Sequence, residues 1–584
     1  MSIQIENKVQ QLTSRGFDLG NQQTEIINCG YGGKMQTFAN ASIYYHTVMG
    51  SEAKVVYGGI RGKYLTLGGH DVNQERGKRL LGFPLTDEEN SKDGRCRVTR
   101  FEWGAIYWVN GGVYLDGKIY EEYMSGGGEE GLLGYPIADP VRLTDGYVVF
   151  FELGCMYMGA RSRDQVIDIR YSLPQLGLPW LIQPGQFSDQ VVVKFNFFRQ
   201  FINANIAGNL FAEIFNGRLV LRETAGNDEI PLEFNVSDTK DLAFSENIRI
   251  YQSVVRLGNA SSVKSRKLYD FVLRFPNRLH VVAPHSVYFR DDWHDFQFIH
   301  ITDLHVSRRL DRFRKFFSDR SMDDAVRNFN NFNDTLREFI KYANKMHVKG
   351  KLDFIMMTGD LVDYIFEDGG KSYHNNNFVF LEQILRGLTG EPDQVKNVEL
   401  KVPIFTSLGN HDYRVEAYYP LFTVDLQWPV GNKTMEQFGS VNLTRDEAKV
   451  ITEDLLNIRG MISTDRAIDM IRPDRENQQG TLNYYFRYIC SSSSYTVPLG
   501  DHRIVMIDGK WDDGTIESTW DGIKHYLGFS GEATDNFADG SPDSVGFNSQ
   551  DSDLISKALQ TSGLVVIGVH APLINPKGGE FAWF

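Results

Sequence analysis

The pattern of apolar and polar positions changes twice along the chain and divides it into three regions. Up to about residue 180, short aromatic-rich segments are separated by Gly and Pro, which is typical of β-hairpins. From 181 to 292, alternating segments bounded by turn residues, such as QVVVKFNFF and RKLYDFVLRF, predict an all-β domain arranged as a sandwich. From 293 to 584, fully apolar strands alternate with helical segments, which predicts a layered α/β domain.

The first region repeats two motifs in alternation. The segments FANASIY, FEWGAIY and FELGCMY share one pattern, and LLGFPLTDE, LLGYPIADP and a degenerate QLGLPW follow them in turn. Recurrence at roughly fifty residues indicates a β-rich repeat array in which each unit packs against the next. The motifs resemble the LGFP repeat family, which is associated with binding or anchoring at bacterial cell envelopes. The resemblance implies a glycan partner, and Trp103, Trp108 and Tyr114 are either core residues or part of a carbohydrate-binding face.

Composition and charge narrow the classes of function. A chain of 584 residues is too long for one hydrophobic core, so several domains are expected. The net charge of -14 disfavours a nucleic-acid partner, and no apolar run approaches the roughly 18 residues of a transmembrane segment. Four scattered cysteines and a first segment without a signal peptide pattern favour the cytoplasm, whereas the repeats imply the envelope. The sequence therefore leaves the localisation open.

Four apolar strands of the third region end in polar clusters, within FQFIHITDLH, LDFIMMTGDLVDY, VPIFTSLGNHDYR and LVVIGVHAP. The candidate site residues in these clusters are Asp303, His305, Asp360, Asp363, Asn410, His411 and His570. Because sites in open α/β sheets assemble at the carboxyl ends of strands, we expect these side chains to converge. Carboxylate, imidazole and amide ligands suit Mn, Fe, Zn or Ni, and their number predicts two divalent metal ions. Two ions roughly 3.5–4 Å apart can activate a hydroxide for in-line attack on phosphorus.

The four motifs, in this order, resemble the calcineurin-like metallophosphoesterase family. The resemblance implies a two-sheet α/β/β/α sandwich over 293–584 that hydrolyses phosphoesters. Carried over by motif, Asp303 and His305 would bind the first metal and Asp360 would bridge both. Asn410 and His570 would bind the second metal.

The same resemblance assigns the catalytic roles. His411 would lie beside the leaving group and donate a hydrogen bond or a proton, and Asp363 would orient it. An imidazole near two cations needs a carboxylate to stay protonated, so this pairing is physically sensible.

The family's fifth motif, G-H-x-H, is not found after LVVIGVHAP. We therefore expect the sequence to be a truncated form of a longer protein that binds at least one metal poorly. The segments GDLVDYI and LGNHDY differ from the Ser/Thr protein phosphatase pattern, which leaves a phosphatase or a phosphodiesterase for other substrates. Arg308 and Arg309, in a basic cluster, belong either to a solvated loop or to a phosphate contact. The alternative function is a non-catalytic envelope-binding protein with a vestigial phosphoesterase domain.

Overall fold

The structure is a computed structural model of the chain. It describes residues 2–91, 93–109, 111–159, 166–182, 190–198, 203–242, 248–259, 262–276, 278–321, 323–329, 331–367, 373–389, 395–409, 411–413, 482–508 and 549–570. Within these residues, no helix has both the length and the apolar character that a membrane crossing requires.

Short strands and short helices alternate in the repeat region. The strands are β1 (Ile27–Asn28), β2 (Lys34–Thr37), β3 (Ala41–Tyr45), β4 (Lys54–Tyr57), β5 (Val72–Asn73), β6 (Lys78–Arg79), β7 (Glu89–Asn90), β8 (Arg97–Phe101), β9 (Gly104–Trp108) and β10 (Gly112–Asp116). The α-helices are α1 (Ile3–Ser14), α2 (Gly58–Thr66) and α3 (Gly117–Ser125). Strands β1–β4 and β7–β10 form two antiparallel sheets, and α2 or α3 follows each of them. The β-rich repeat array is therefore confirmed as a series of sheet-and-helix units.

Each aromatic repeat motif forms a β-hairpin. Phe101 pairs with Gly104, and Phe151 pairs with Gly154, so the two residues between them make the turn. A Cβ at Gly104 would meet the carbonyl oxygen of Leu115 at 2.1 Å, which explains the small residue at this position.

The Leu-Gly-aromatic-Pro motifs are fixed by a tyrosine hydroxyl. Tyr64, on α2, donates to the carbonyl of Gly82 at 2.7 Å. Tyr123, on α3, donates to the carbonyl of Gly134 at 3.0 Å. Both tyrosines are buried, and both glycines have φ above +70°, which a side chain would strain. The two units therefore share one tyrosine-to-glycine hydrogen bond.

The strands from residue 141 to residue 289 belong to the same sheet. They are β11 (Val141–Leu143), β12 (Gly146–Phe151), β13 (Gly154–Gly159), β14 (Val166–Ser172), β15 (Trp180–Ile182), β16 (Gln190–Phe198), β17 (Leu219–Glu223), β18 (Glu229–Glu233), β19 (Thr239–Asp241), β20 (Ile248–Leu257), β21 (Lys267–Phe275) and β22 (Arg278–Phe289). Strand β14 pairs with β16, so the sheet continues across the boundary predicted at 180. The third copy of the aromatic motif is thus part of the central sheet.

One helix in the central region contradicts the all-β prediction. Helix α4 (Ala204–Phe215) begins at Asn203, whose side chain accepts a hydrogen bond from the amide of Ile206 at 2.9 Å. Its apolar face is buried in the core of the sheet, where the rings of Phe211 and Phe195 lie 4.2 Å apart between centroids. The prediction was wrong here because a short, fully buried helix has nearly the same apolar composition as a buried strand.

The third region confirms the predicted alternation of strands and helices. Its strands are β23 (Phe298–Ile301), β24 (Phe354–Thr358), β25 (Ile404–Ser407), β26 (Tyr495–Leu499), β27 (His502–Met506) and β28 (Val565–Gly568). Its α-helices are α5 (Arg308–Asp319), α6 (Asp323–Asn328), α7 (Phe332–Val348), α8 (Asn377–Leu385), α9 (Asn483–Tyr488) and α10 (Ser549–Ala558). Strands β23–β25 form a parallel sheet, and in a second sheet β28 runs parallel to β27.

The two sheets pack on a common core. Met356 and Phe405 from the first sheet lie in the same buried cluster as Ile504 and Met506 from the second. Helix α7 contributes to this cluster, and α10 packs on β27 in a separate one. Because the two sheets are in contact, the carboxyl ends of β23, β24, β25 and β28 can supply one site.

Candidate metal centre

Most of the predicted site residues converge at the carboxyl ends of the strands. Asp303 and His305 follow β23, Asp360 follows β24, and His411 follows β25. His570 follows β28, in the second sheet. Asn410, predicted as a ligand of the second metal, lies outside the described residues.

Asp360 lies at the centre of this cluster. Its carboxylate is 3.7 Å from Nε2 of His305, 3.9 Å from Nε2 of His411 and 3.4 Å from Nε2 of His570. Two groups of three ligand atoms have a spacing suitable for a metal ion, with all atoms of a group within 4.8 Å of one another. The groups are His305, Asp360 and His411 on one side, and Asp303, Asp360 and His570 on the other. Oxygen and nitrogen donors in these sets fit borderline divalent metals.

The structure groups two residues differently from the sequence prediction. His305 was predicted beside Asp303 on one metal, but it belongs to the group that contains His411. Asp303 belongs with His570. The two predicted ligands remain neighbours, with 3.8 Å between Nε2 of His305 and Oδ1 of Asp303.

Three of the predicted ligands have a strained backbone. The φ angles of Asp303, His305 and Asp360 are +56°, +45° and +50°, in the left-handed region that residues other than glycine seldom adopt. Such conformations cost about 1–3 kcal/mol each and cluster at functional sites. The loops after β23 and β24 therefore hold these side chains at an energetic cost.

Two glycines make room for the cluster. A Cβ on Gly359 would lie 2.4 Å from Cβ of His570, and one on Gly409 would lie 2.4 Å from Oδ1 of Asp360. Both contacts are far shorter than van der Waals distances, so the backbone here can be formed only by glycine.

Charges within the cluster shift its protonation equilibria strongly. Burial disfavours a charged His305, but contacts with Asp303 and Asp363 outweigh it and raise the pKa of His305 to about 10. Burial acts similarly on His570, and Asp360 raises the pKa of that imidazole to about 9. Burial opposes ionisation of Asp360, yet the surrounding imidazoles hold its pKa well below the usual range. A cation bound here would therefore have to displace protons from these imidazoles.

Asp363 contacts His411, the residue that the family resemblance expects it to orient. Nδ1 of His411 lies 3.1 Å from Oδ1 of Asp363 and 3.1 Å from its carbonyl oxygen. This contact directs the opposite ring nitrogen, Nε2, toward Asp360. Despite its burial, contacts with His305 and His411 hold the pKa of Asp363 well below its usual range.

The sequence did not identify the residues that orient His570. Nδ1 of His570 lies 3.1 Å from the carbonyl oxygen of Thr358 and 3.2 Å from Oγ1 of Thr302. A proton on Nδ1 would be donated to that carbonyl, so that Nε2 is the ring atom suited to contact a metal ion. Both threonines come at strand ends, but nothing in their sequence context distinguishes them from other strand residues.

Asp412 holds the turn after β25. Its two carboxylate oxygens accept hydrogen bonds from the amides of Val362 and Gly409, at 2.9 and 2.8 Å. Burial and the nearby Asp360 raise the pKa of Asp412 to about 7. The next residue, Tyr413, donates to Asp508 at 2.6 Å.

Arg308 and Arg309, suggested as phosphate contacts, lie against aromatic rings and polar side chains of the domain. Arg309 is only 4% exposed, and its guanidinium lies 3.7 Å from Glu367 and over the ring of Tyr364. This environment does not support the predicted contact with substrate. Arg308 lies over the ring of Phe380 and donates to Gln383 at 3.3 Å.

The aromatic residues suggested for glycan binding have different environments. Trp103 and Trp108 are 42% and 36% exposed, and the guanidinium of Arg79 lies 4.7 Å from the ring of Trp103. Tyr114 is buried and its hydroxyl accepts a hydrogen bond from Arg76, so it belongs to the core.

Comparisons with known proteins identify two families in the chain. Residues 22–71 and 81–131 match the LGFP repeat, and residues 296–508 match the calcineurin-like phosphoesterase family. The chain thus contains LGFP repeats and a calcineurin-like phosphoesterase domain. His570 lies beyond the matched range, although the fold brings it to the other candidate ligands.

Matches to individual proteins are distant. No curated protein matches the sequence. A solved structure of purple acid phosphatase PPD1 from yellow lupin (Lupinus luteus) matches at 12% identity with a TM-score of 0.17. The match covers 60% of this chain and 48% of the lupin chain, or about half of that protein.

Proposed function

We propose that residues 293–584 hydrolyse phosphoesters at a centre of two divalent metal ions, with Asp360 between them. The observation that supports this most directly is the position of Asp360 in both ligand groups. A carboxylate with two oxygens can contact two cations at once, and the imidazoles on either side supply each cation with nitrogen ligands. The two packed sheets, with α7 and α10 against them, support an α/β/β/α arrangement for this region.

In this proposal the chain's residues position the reactants. Asp303, His305, Asp360 and His570 would hold the cations, and Asn410 is retained as a further ligand from the sequence. When bound, two divalent ions supply Lewis acidity that activates water and stabilises charge on the phosphoryl oxygens. His411, held by Asp363 at 3.1 Å, donates a hydrogen bond or a proton to the leaving group.

Hydrolysis of an aryl phosphate monoester and an aryl phosphate diester in Mn²⁺ tests this function. Asp360→Asn keeps the shape of the side chain but removes the charge shared by both ligand groups, so turnover should be abolished while the circular dichroism spectrum is retained. Asp319→Asn, an exposed aspartate at the end of α5, removes the same charge away from the site and should leave turnover intact. Unchanged turnover in the Asp360 variant would exclude the proposed site. A parent chain without turnover or metal binding would favour the non-catalytic alternative.

We also propose that the repeats bind a polysaccharide of the cell envelope. The exposed rings of Trp103 and Trp108 support this, because flat aromatic faces stack against sugar rings. Sedimentation with isolated cell-wall glycan should detect the parent chain, and Trp103→Ala should weaken the binding. Tyr342→Ala removes a comparably exposed ring from α7 and serves as the control, since it should bind like the parent chain. Equal binding by both variants would overturn the proposal.

A further inference from the structure

The third Leu-Gly-x-Pro motif is held by the same type of hydrogen bond as the first two, but its tyrosine comes from the phosphoesterase domain. Gly177 lies in QLGLPW, at the position that corresponds to Gly82 and Gly134. The carbonyl of Gly177 accepts a hydrogen bond from the hydroxyl of Tyr495 at 2.9 Å. Tyr495 is buried and begins β26, far along the chain from the repeats.

Two further contacts embed this motif in the phosphoesterase domain. The amide of Gly177 donates to the carbonyl of Ile489 at 2.7 Å. The side chain of Gln175 donates to the carbonyls of Phe486 and Arg487, at 2.9 and 3.2 Å. Both carbonyls belong to the last turn of α9, where the helix itself offers no donor. The repeat motif therefore satisfies polar groups that the phosphoesterase domain would leave unpaired.

The hydroxyl of Tyr495 also contacts the strand that leads to His411. It accepts a hydrogen bond from the amide of Thr406 and lies 2.9 Å from the carbonyl of the same residue. Thr406 is in β25, fully buried, and precedes the turn that contains Gly409 and His411. A Cβ on Gly177 would lie 2.5 Å from Oγ1 of Thr406, so the motif and the strand are in direct contact.

We propose that the phosphoesterase domain completes the third repeat, and that Tyr495 and Gly177 are positioning residues for the metal centre. They act through β25, which fixes the turn of Gly409 and His411 beside Asp360. The catalytic part of this inference rests on the proposed phosphoesterase function. The structural part, the coupling of the repeat motif to β25, can be measured without turnover.

Tyr495→Phe tests the proposal, with Tyr123→Phe as the matched control. Each variant removes one hydroxyl that binds a repeat glycine, so each should lower the unfolding temperature of the full chain. Only Tyr495→Phe also removes a hydrogen-bond acceptor from the amide of Thr406, which then keeps only its longer contact with the carbonyl of Gly177, at 3.2 Å. We expect faster hydrogen–deuterium exchange in peptide 402–413, and about tenfold losses in Mn²⁺ affinity and kcat with KM unchanged. Tyr123→Phe should leave the exchange rate, the Mn²⁺ affinity and kcat at parent values.

The outcomes separate the two proposals. If the parent chain has no turnover, the proposed function fails. Mn²⁺ affinity and hydrogen–deuterium exchange in peptide 402–413 still test the positioning role of Tyr495. Parent-like exchange and Mn²⁺ affinity in Tyr495→Phe, or equal changes in Tyr123→Phe, would overturn the positioning role. If Tyr495→Phe does not fold, Gln175→Ala is the milder variant. It should raise exchange in 402–413, and no rise would likewise overturn the proposal.

Discussion

The imidazole of His570 lies directly against Gly359, with no space for a side chain between them. A Cβ on Gly359 would meet Cβ and Cγ of His570 at 2.4 Å. Gly359→Ala should therefore displace His570 from Asp360 and reduce Mn²⁺ affinity by about 10–100-fold, measured by isothermal titration calorimetry.

A second glycine separates this steric effect from backbone strain. Gly350 has φ of +72°, almost the same as +73° at Gly359, but a Cβ there has no atom within 4 Å. Gly350→Ala should cost about 1–2 kcal/mol of stability through its left-handed backbone and leave Mn²⁺ affinity unchanged. Equal losses of affinity in both variants would show that contact with His570 is irrelevant.

Metal binding should release protons. In the metal-free chain the pKa values of His305 and His570 are raised to about 10 and about 9, so both imidazoles are protonated at neutral pH. Cations bind only neutral imidazole, so Mn²⁺ affinity should rise with pH until it passes these pKa values, at about pH 9 to 10. Calorimetry in two buffers of different ionisation enthalpy measures the protons released. A binding enthalpy that is independent of the buffer would contradict the assignment of these ligands.

Arg309 should support the fold rather than bind substrate. Its guanidinium lies beside Glu367, which is 1% exposed, so Arg309→Met would remove the cation from a buried carboxylate that keeps hydrogen bonds from the hydroxyls of Tyr364 and Ser307 and from a backbone amide. We expect a loss of about 3–5 kcal/mol in the free energy of unfolding, partly recovered by adding Glu367→Gln. KM measured below the unfolding transition should stay at the parent value. A clear rise in KM would restore the role in substrate binding.

His280 should make the fold less stable in acid. It is partly buried, and this burial lowers its pKa from 6.5 to about 4. Between these two values the unfolded chain binds the proton more strongly, so this contribution to stability is present above about pH 6.5 and is lost as the pH falls toward 4. Between pH 7 and pH 5 the parent should lose about 2 kcal/mol more stability than His280→Gln does, measured by urea unfolding. Identical losses would mean that other groups control the acid response.

The strand-end motifs were sufficient to predict that most of these side chains lie close together. Asp303 and Asp360 follow neighbouring parallel strands, whose carboxyl ends lie at one edge of the sheet. His570 follows an apolar strand of the second sheet, which packs on the first. The sequence could not predict the contact of Tyr495 with Gly177. The two residues are 318 positions apart, and no local pattern links them. Nor could the sequence show that Arg309 is buried, since an arginine in a polar segment can be either buried or solvated.

The left-handed backbone at Asp303, His305 and Asp360 affects which substitutions stabilise the protein. Glycine at any of these positions would relieve strain of about 1–3 kcal/mol and would remove a ligand. A screen that rewards heat resistance alone would therefore favour variants that have lost the site, as expected where activity and stability compete. Selection for more thermostable variants of this protein therefore needs to include selection for metal binding.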